Sequence, residues 1–297
     1  MKATARFLAL MALLALAASA PVVAQSTQQK PGTTPAQPPA KQPGTPAQPG
    51  APAVSAADQP PAPPVNKEEE DAYKAFFEAK DDTLKVKLGE EFQEKFSVSR
   101  YRELVYATLS NAYQNLGQDE KMFAAGEKTL EINSDNLAAL VTMAKALARR
   151  TSPQALDAQQ KFDKAEKYGK RALELLATLP KPENVTEENF AKIKNDALAD
   201  VHGGLGLIYL RKQRIADSVA ELDQATKVTS SPDPVDFYLL GIVLQASKRF
   251  EESAAAFGRC AESPSQLQET CKQSQADAKK QAAAKPVTPP AQAPPKP

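Results

Sequence analysis

The chain has one histidine, and it stands beside the densest glycine cluster: His202, Gly203, Gly204 and Gly206 in HGGLGLIYLRKQRIADSVAEL. As chemistry, that grouping offers a general base next to a loop whose backbone amides cradle an anion. As packing, it is a helix thinned so that another helix can approach. A phosphate-cradling loop needs a strand, then glycines, then a helix N-terminus. These glycines fall instead inside a helical run that starts near Glu187, which favours packing.

Other chemistry has little to draw on. Metal sites need several His, Cys, Asp or Glu to converge, and the chain has one histidine, two cysteines and no Cys-x-x-Cys or His-Glu-x-x-His. A Ser-His-Asp hydrolase would need the histidine already placed on a helix face. The paired carboxylates Glu90-Glu91, Glu187-Glu188 and Glu251-Glu252 are helix neighbours that point apart, so they read as solvated charges at helix N-termini. The sequence predicts no enzyme and no cofactor.

The elements that position these residues come into view once the ends are set aside. Residues 1–24 carry Lys2 and Arg6, then an apolar run from Phe7 to Ala18, then Val22-Val23-Ala24. That is the pattern of a cleavable signal peptide, with no cysteine after it for a lipid anchor. No other stretch is long and apolar enough to span a bilayer. Removing this segment turns a formal charge of +1 into −1, so no electrostatic footprint for nucleic acid is left. From Gln25 to Val65 the chain is Pro, Ala, Gln, Thr and Gly, with twelve prolines between Pro31 and Pro64. It cannot bury enough apolar surface to fold. A semi-rigid, polyproline-like tether with a reach on the order of 100 Å is expected. KPVTPPAQAPPKP, from Lys285, repeats that composition.

Between about Asn66 and Ala284, apolar residues recur at three-and-four spacing and Ala, Leu, Glu, Lys and Gln dominate, which predicts an all-α fold. A period appears when Glu103, Leu137, Ala199, Pro234 and Gln268 are each set as position 1. Positions 4, 7, 8 and 11 then read Tyr106, Leu109, Ser110, Tyr113 in the first unit and Leu140, Met143, Ala144, Leu147 in the second. The next two units give His202, Leu205, Gly206, Tyr209 and Phe237, Leu240, Gly241, Leu244. In the second helices, position 20 is Met122, Ala165, Ser218 and Ser253, and position 27 is Thr129, Ala172, Ala225 and Cys260. This pattern resembles the tetratricopeptide repeat, a pair of antiparallel helices about 34 residues long. The resemblance covers most of Glu69 to Lys280 and is carried best by FYLLGIVLQASKRFEESAAAFGRCAESP and GLGLIYLRKQRIADSVAELDQATKV. It implies an α-solenoid in which position 8 faces position 20, so that Gly206 and Gly241 are wedged between helices.

Two departures stand out. The spacing from Leu137 to Ala199 is 62, which places nine extra residues around Arg149 to Gln160 and 19 more around Thr178 to Leu198. Asn184 is a candidate N-cap for the long helix that follows. Phe190, Ile193 and Ala197 form one stripe there, to dock on Tyr168 to Leu176 or to meet a partner. Upstream, EEDAYKAFFEAKDDTLKVKLGEEFQEKFSVSRY fits a unit only loosely, with Phe76 in the small site and an early turn at Asp81-Asp82. Its FQEKFSVSRY resembles a phrase of periplasmic repeat proteins of outer-membrane assembly and cell-division coordination. The expected division is a signal peptide (1–24), a disordered linker (25–65), a degenerate helical pair (66–102), units over 103–136, 137–198, 199–233 and 234–267, a capping helix (268–284) and a disordered Pro-rich tail (285–297).

Further expectations rest on the resemblance. Cys260, at position 27, and Cys271, at position 4 of the next helix, would pack together, either bonded in an oxidising compartment or as two buried thiols. The first helices would line a concave groove through Asn111, Gln114 and Asn115, then Lys145 and Arg149. Farther along it would run Leu207, Leu210 and Arg211, then Tyr238, Ile242 and Gln245. Such a groove suits a protein or peptide partner. Lys145, Arg149 and Arg211 either favour acidic groups on that partner or are merely solvated. The carboxylate clamp of some cytosolic members is not implied, because Ala107 stands one turn before Asn111. The expected role is a periplasmic or secreted scaffold; the alternative is a structural element of the envelope associated with the cell wall.

Overall fold

Side-chain caps mark where several helices begin. Asn66, Asp81, Asn136, Thr186 and Asp233 each accept a hydrogen bond from a backbone N–H in the first turn of the helix that follows. The structure, a computed structural model, describes residues 66–284; the expected signal segment, linker and C-terminal tail lie outside the described residues. The described residues form eleven helices and no strands: α1 Lys67–Glu78, α2 Asp82–Lys95, α3 Arg102–Asn115, α4 Asp119–Ile132, α5 Leu137–Arg150, α6 Ala158–Thr178, α7 Glu187–Arg211, α8 Ile215–Lys227, α9 Pro234–Ala246, α10 Phe250–Glu262 and α11 Gln268–Ala283. Consecutive helices pack as pairs and the pairs stack into an α-solenoid.

Three of the hairpins turn in one way. Gly117, Gln213 and Lys248 have φ of 70°, 58° and 58°. The next N–H bonds back to Tyr113, Tyr209 and Leu244 respectively, satisfying carbonyls that the helix end leaves open.

Within each pair the small positions meet. Ser218 Oγ donates to the Gly206 carbonyl at 2.7 Å, and Ser253 Oγ donates to the Gly241 carbonyl at 2.8 Å. In the α3–α4 pair the roles reverse, with Ser110 Oγ donating to the Met122 carbonyl at 3.0 Å. Ala144 and Ala165 are buried at the equivalent places in α5 and α6. Position 27 is closed in all four units, since Thr129, Ala172, Ala225 and Cys260 have no exposed surface.

Volume is traded between neighbouring sites. A Cβ on Gly206 would come within 2.5 Å of Leu222, and one on Gly241 within 2.5 Å of Phe257, so large residues on α8 and α10 fill the hollows of α7 and α9. In the two earlier units the hollow is on the second helix, and the next unit fills it. Met143 lies against Gly126 and Leu205 against Gly169. The first pair uses the same exchange: Phe76, fully buried where a small residue was expected, packs on Gly89 of α2.

Most of the extra residues of the second unit lengthen its helices, and the rest lengthen the connections around them. A seven-residue turn, 151–157, joins α5 to α6, which has 21 residues, and α7 has 25. Thr186, not Asn184, caps α7: its hydroxyl accepts from the Asn189 N–H, one turn in. Ala197 is buried and Ile193 half-buried in a cluster that includes Leu173 and Leu176, so this stripe docks on α6. Phe190 is half-buried at its outer end.

Cys260 and Cys271 are joined in a disulfide across 11 residues, with Cα atoms 5.8 Å apart and no exposed surface on either side chain. The bond fastens α11 to α10. Closing so short a loop removes about 2–3 kcal/mol of chain entropy from the unfolded state. Cys271→Ser should therefore lower stability by about that amount, read by urea denaturation. An unchanged midpoint would show that packing around Phe257 and Ala278 holds α11 by itself.

Candidate peptide-binding face

The first helices of the units, α3, α5, α7 and α9, carry the residues expected to line the concave side. On α3 two of the three amides already have partners. Asn111 Nδ2 donates to the Ala107 carbonyl and Asn115 Nδ2 donates to Asp82 Oδ2 at 2.9 Å, while Gln114 is half-buried. On α5 most residues are buried, including Ala138, Val141 and Ala148. That part of the face has no room for a ligand.

Lys145 and Arg149 are committed within the protein. Lys145 Nζ lies 2.5 Å from Asp200 on α7 and 3.9 Å from Asp233. Arg149 donates through Nη1 to Asp233 and through Nη2 to Asp236, each at 2.9 Å. The α9 cap and first turn are thus tied to the last turn of α5, with α7 between them. This is what Gly203 and Gly204 make possible. A Cβ on Gly203 would lie 2.7 Å from the Asp236 carboxylate, and one on Gly204 would lie 3.2 Å from the Lys145 backbone. The glycine cluster therefore serves packing, as expected, and it also clears the way for a three-helix ion cluster. His202, in the same turn, places Nδ1 2.6 Å from Glu221 Oε2 on α8.

The cluster brings Lys145 and Arg149 together with Asp200, Asp233 and Asp236, and burial is the largest influence on both Asp233 and Asp236. Asp236 is only 2% exposed. Burial pushes its carboxyl up to about 6, because it outweighs the opposing pull of Arg149, and Asp233 adds repulsion. Burial also pushes Asp233 up, but Arg149 and Lys145 more than offset it and hold the group below the usual aspartate range. Arg149 is raised, since its two carboxylates outweigh its own burial. The two partners of the Arg149–Asp236 bond thus differ: Arg149 gains from the pair, while Asp236 loses more to burial than the pair returns. Asp200, Asp233 and Asp236 were not foreseen as site residues. Asp233-Pro234 is a strong local signal for a helix start, and that role hides the longer-range one.

The remaining expected residues gather at the far end. Leu207 and Leu210 are half-buried against the α8–α9 core. Tyr238 and Ile242 are half-buried against Phe257 and Ala278, with the Tyr238 and Phe257 rings 5.8 Å apart. Gln245 is half-buried on the last turn of α9. Arg211 donates through Nη1 to the Thr151 carbonyl at 2.7 Å, and its guanidinium lies over the Phe162 ring, 5.0 Å from the centroid.

A cleft of about 840 Å³ lies elsewhere, between the second helices α4 and α6. Leu130, Leu140 and Tyr168 are among its lining residues, and the Lys164–Glu127 and Arg171–Asp135 ion pairs cross between the two helices. Among the described residues no group of three or more His, Cys, Asp or Glu could hold a metal ion, and no helix is long and apolar enough to cross a membrane.

No protein-family model and no curated protein matches the chain. Solved structures similar to it include a thermophilic TPR protein of Thermus thermophilus, with TM-score 0.44 and 15% identity over 71% of this chain and 98% of that one. Yeast Tom70 is similar with TM-score 0.31 and 13% identity over 71% of this chain and 46% of that one. A tetratricopeptide repeat protein of Parabacteroides merdae has TM-score 0.28 and 13% identity over 72% and 98%. The helix pairs, the facing small positions and the stacking of units define an α-solenoid of antiparallel helix pairs.

Proposed function

We propose that this protein is an exported, non-catalytic scaffold of the bacterial cell envelope that holds a protein or peptide partner on the concave face of α7 and α9. One observation carries this reading: Leu207 and Leu210 on α7 and Tyr238 and Ile242 on α9 remain half-exposed at first-helix positions, while α5 is mostly buried and its cations are spent. Stacked repeats bury a continuous core and leave such a flank for an extended chain or a helix. Export rests on the pattern of residues 1–24, and reach into the envelope on the Pro-rich segment 25–65. Preference for acidic groups, expected from three cations, narrows to Arg211.

The test is photocrosslinking in intact cells with photoreactive residues at Leu210, Tyr238 and Gln245, and at Lys128 on α4 as a control. Discrete adducts at the first three and none at Lys128 are expected. No adduct at any of the three would overturn the reading. That same Pro-rich segment favours a second reading, a spacer that associates with the cell wall; sedimentation of the full chain with purified peptidoglycan, lost on deleting residues 25–65, would establish it.

A further inference from the structure

The two ends of the solenoid are finished differently. A stacked array needs a polar outer face on its terminal elements. At the C-terminal end α11 supplies one: it carries no large apolar residue, and Lys272, Gln273, Lys279 and Lys280 are exposed. At the other end α1 does not. Phe77 is 60% exposed, and Tyr73, four residues earlier on the same face, is half-buried. Their ring centroids lie 6.0 Å apart. Tyr73 also stacks on Tyr101 at 4.1 Å and lies 6.3 Å from the buried Phe92, so one end of this aromatic row is held against α2 and α3. The Phe77 end is open.

Area and position decide what covers it. A stable dimer needs about 800 Å² from each partner, whereas two aromatic side chains, one already half-buried, offer roughly 300 Å². A segment tied to the same helix needs no such area, since its local concentration is on the order of millimolar. The residues that lead into the Asn66 cap are Pro60-Pro61-Ala62-Pro63-Pro64-Val65, which lie outside the described residues. Proline-rich segments dock on aromatic ridges because polyproline II is preformed and loses little entropy on binding. The lengths agree. Measured from Asn66 along α1, Tyr73 lies at about 10 Å and Phe77 at about 16 Å. At about 3.1 Å per residue, a polyproline II chain folded back from Asn66 sets Pro63-Pro64 beside Tyr73 and Pro60-Pro61 beside Phe77. We infer that residues 60–65 dock on the Tyr73–Phe77 ridge of α1, so that the Pro-rich spacer leaves the solenoid near Phe77 rather than at Asn66. This stands whatever partner the concave face takes.

Amide hydrogen exchange of the full chain reads the contact. Replacing Pro60, Pro61, Pro63 and Pro64 together by Ser should make the amides of residues 73–78 exchange about fivefold faster, because the terminal helix opens locally once its cover is lost. Replacing Pro35, Pro38, Pro39 and Pro43 by Ser, the same change farther from α1, should leave them as they are. Phe77→Ser alters α1 itself, so the decisive comparison is the combined variant, in which the changes at 60–64 should add nothing to Phe77→Ser. Exchange unaltered by the changes at 60–64, equally quickened by the distant set, or quickened as much in the Phe77→Ser background overturns the docking. Sedimentation velocity reads the rival occupant: a monomer is expected for both the native chain and Phe77→Ser. A native dimer that Phe77→Ser dissociates would give the ridge to a second copy and overturn the contact within one chain.

Discussion

Arg149→Ala should destabilise the fold by about 3–5 kcal/mol at neutral pH, the range for removing one partner of a buried ion pair. The substitution takes away both donors to α9 at once, since Nη1 serves Asp233 and Nη2 serves Asp236. Asp233 keeps Lys145 at 3.9 Å, but Asp236, 2% exposed, has no second cation in ion-pairing reach among the described residues. A buried carboxylate is then left uncompensated between Gly203 and the end of α5. Its cost, not the intrinsic strength of the lost bonds, sets the size of the effect. The double variant Arg149→Met with Asp236→Asn separates the two, because neutral groups of similar shape remove the charge together with its partner. It should recover more than half of the loss, a coupling that additive behaviour would not give. Urea denaturation of the three proteins at pH 7.5 reads the outcome. A loss below about 1 kcal/mol for Arg149→Ala would mean that water reaches Asp236 and that the three-helix tie is not a structural element.

This tie also shows where sequence stops being legible. Ser218 with Gly206 and Ser253 with Gly241 are 12 residues apart within one hairpin, so a period in the chain reports the contact directly. That Cys260 and Cys271 meet was legible for the same reason, being 11 residues apart on successive helices, while the bond between them was left open against two buried thiols. Arg149 and Asp236 are separated by 87 residues and an intervening helix. No repeat pattern encodes their meeting, which depends on how far each unit rotates on the last. Lys145 and Arg149 therefore looked like free cations at groove positions, although the chain supplies its own carboxylates for them. The glycines held the missing clue. Gly206 answers the small-residue rule, but Gly203 and Gly204 exceed it, and the surplus marks the place where α9 reaches across to α5. Phe76 is the opposite case, a large residue in a small site that is resolved only by Gly89 on the facing helix. The cap at Thr186 was missed because Asn184 is an equally good capping residue two places earlier, and only the path of the chain selects between them.

The burial of Asp236 also predicts an unusual pH dependence. Asp236 has its folded pKa raised from 3.8 to about 6, so in the window between those values the native state binds more protons than the unfolded one. Stability then falls as pH rises through that window, and acidification from pH 7.5 to about 5 should strengthen the fold. A displacement of roughly two pKa units corresponds to at most about 3 kcal/mol. Protonation removes a charge that burial disfavours more than Arg149 stabilises it, which is the physical reason for the gain. The groups packed around Asp236 are Arg149 and Lys145 on α5, Asp200 on α7 and Asp233 at the α9 cap; Asp233 works in the other direction. Its pKa is lowered, as is that of Glu166, to about 2, where Lys170 and Lys212 outweigh burial. Their contributions are complete above the ordinary carboxylate range and vanish as pH falls through their folded values. The stability profile should therefore peak near pH 5 and decline on both sides. In Asp236→Asn the alkaline limb should flatten, with stability at pH 7.5 no lower than that of the native protein, since the amide oxygen still accepts from Arg149. An alkaline limb that persists unchanged in Asp236→Asn would assign the slope to another group, and a native profile that rises steadily from pH 5 to 7.5 would show Asp236 to be ionised and well compensated in the fold.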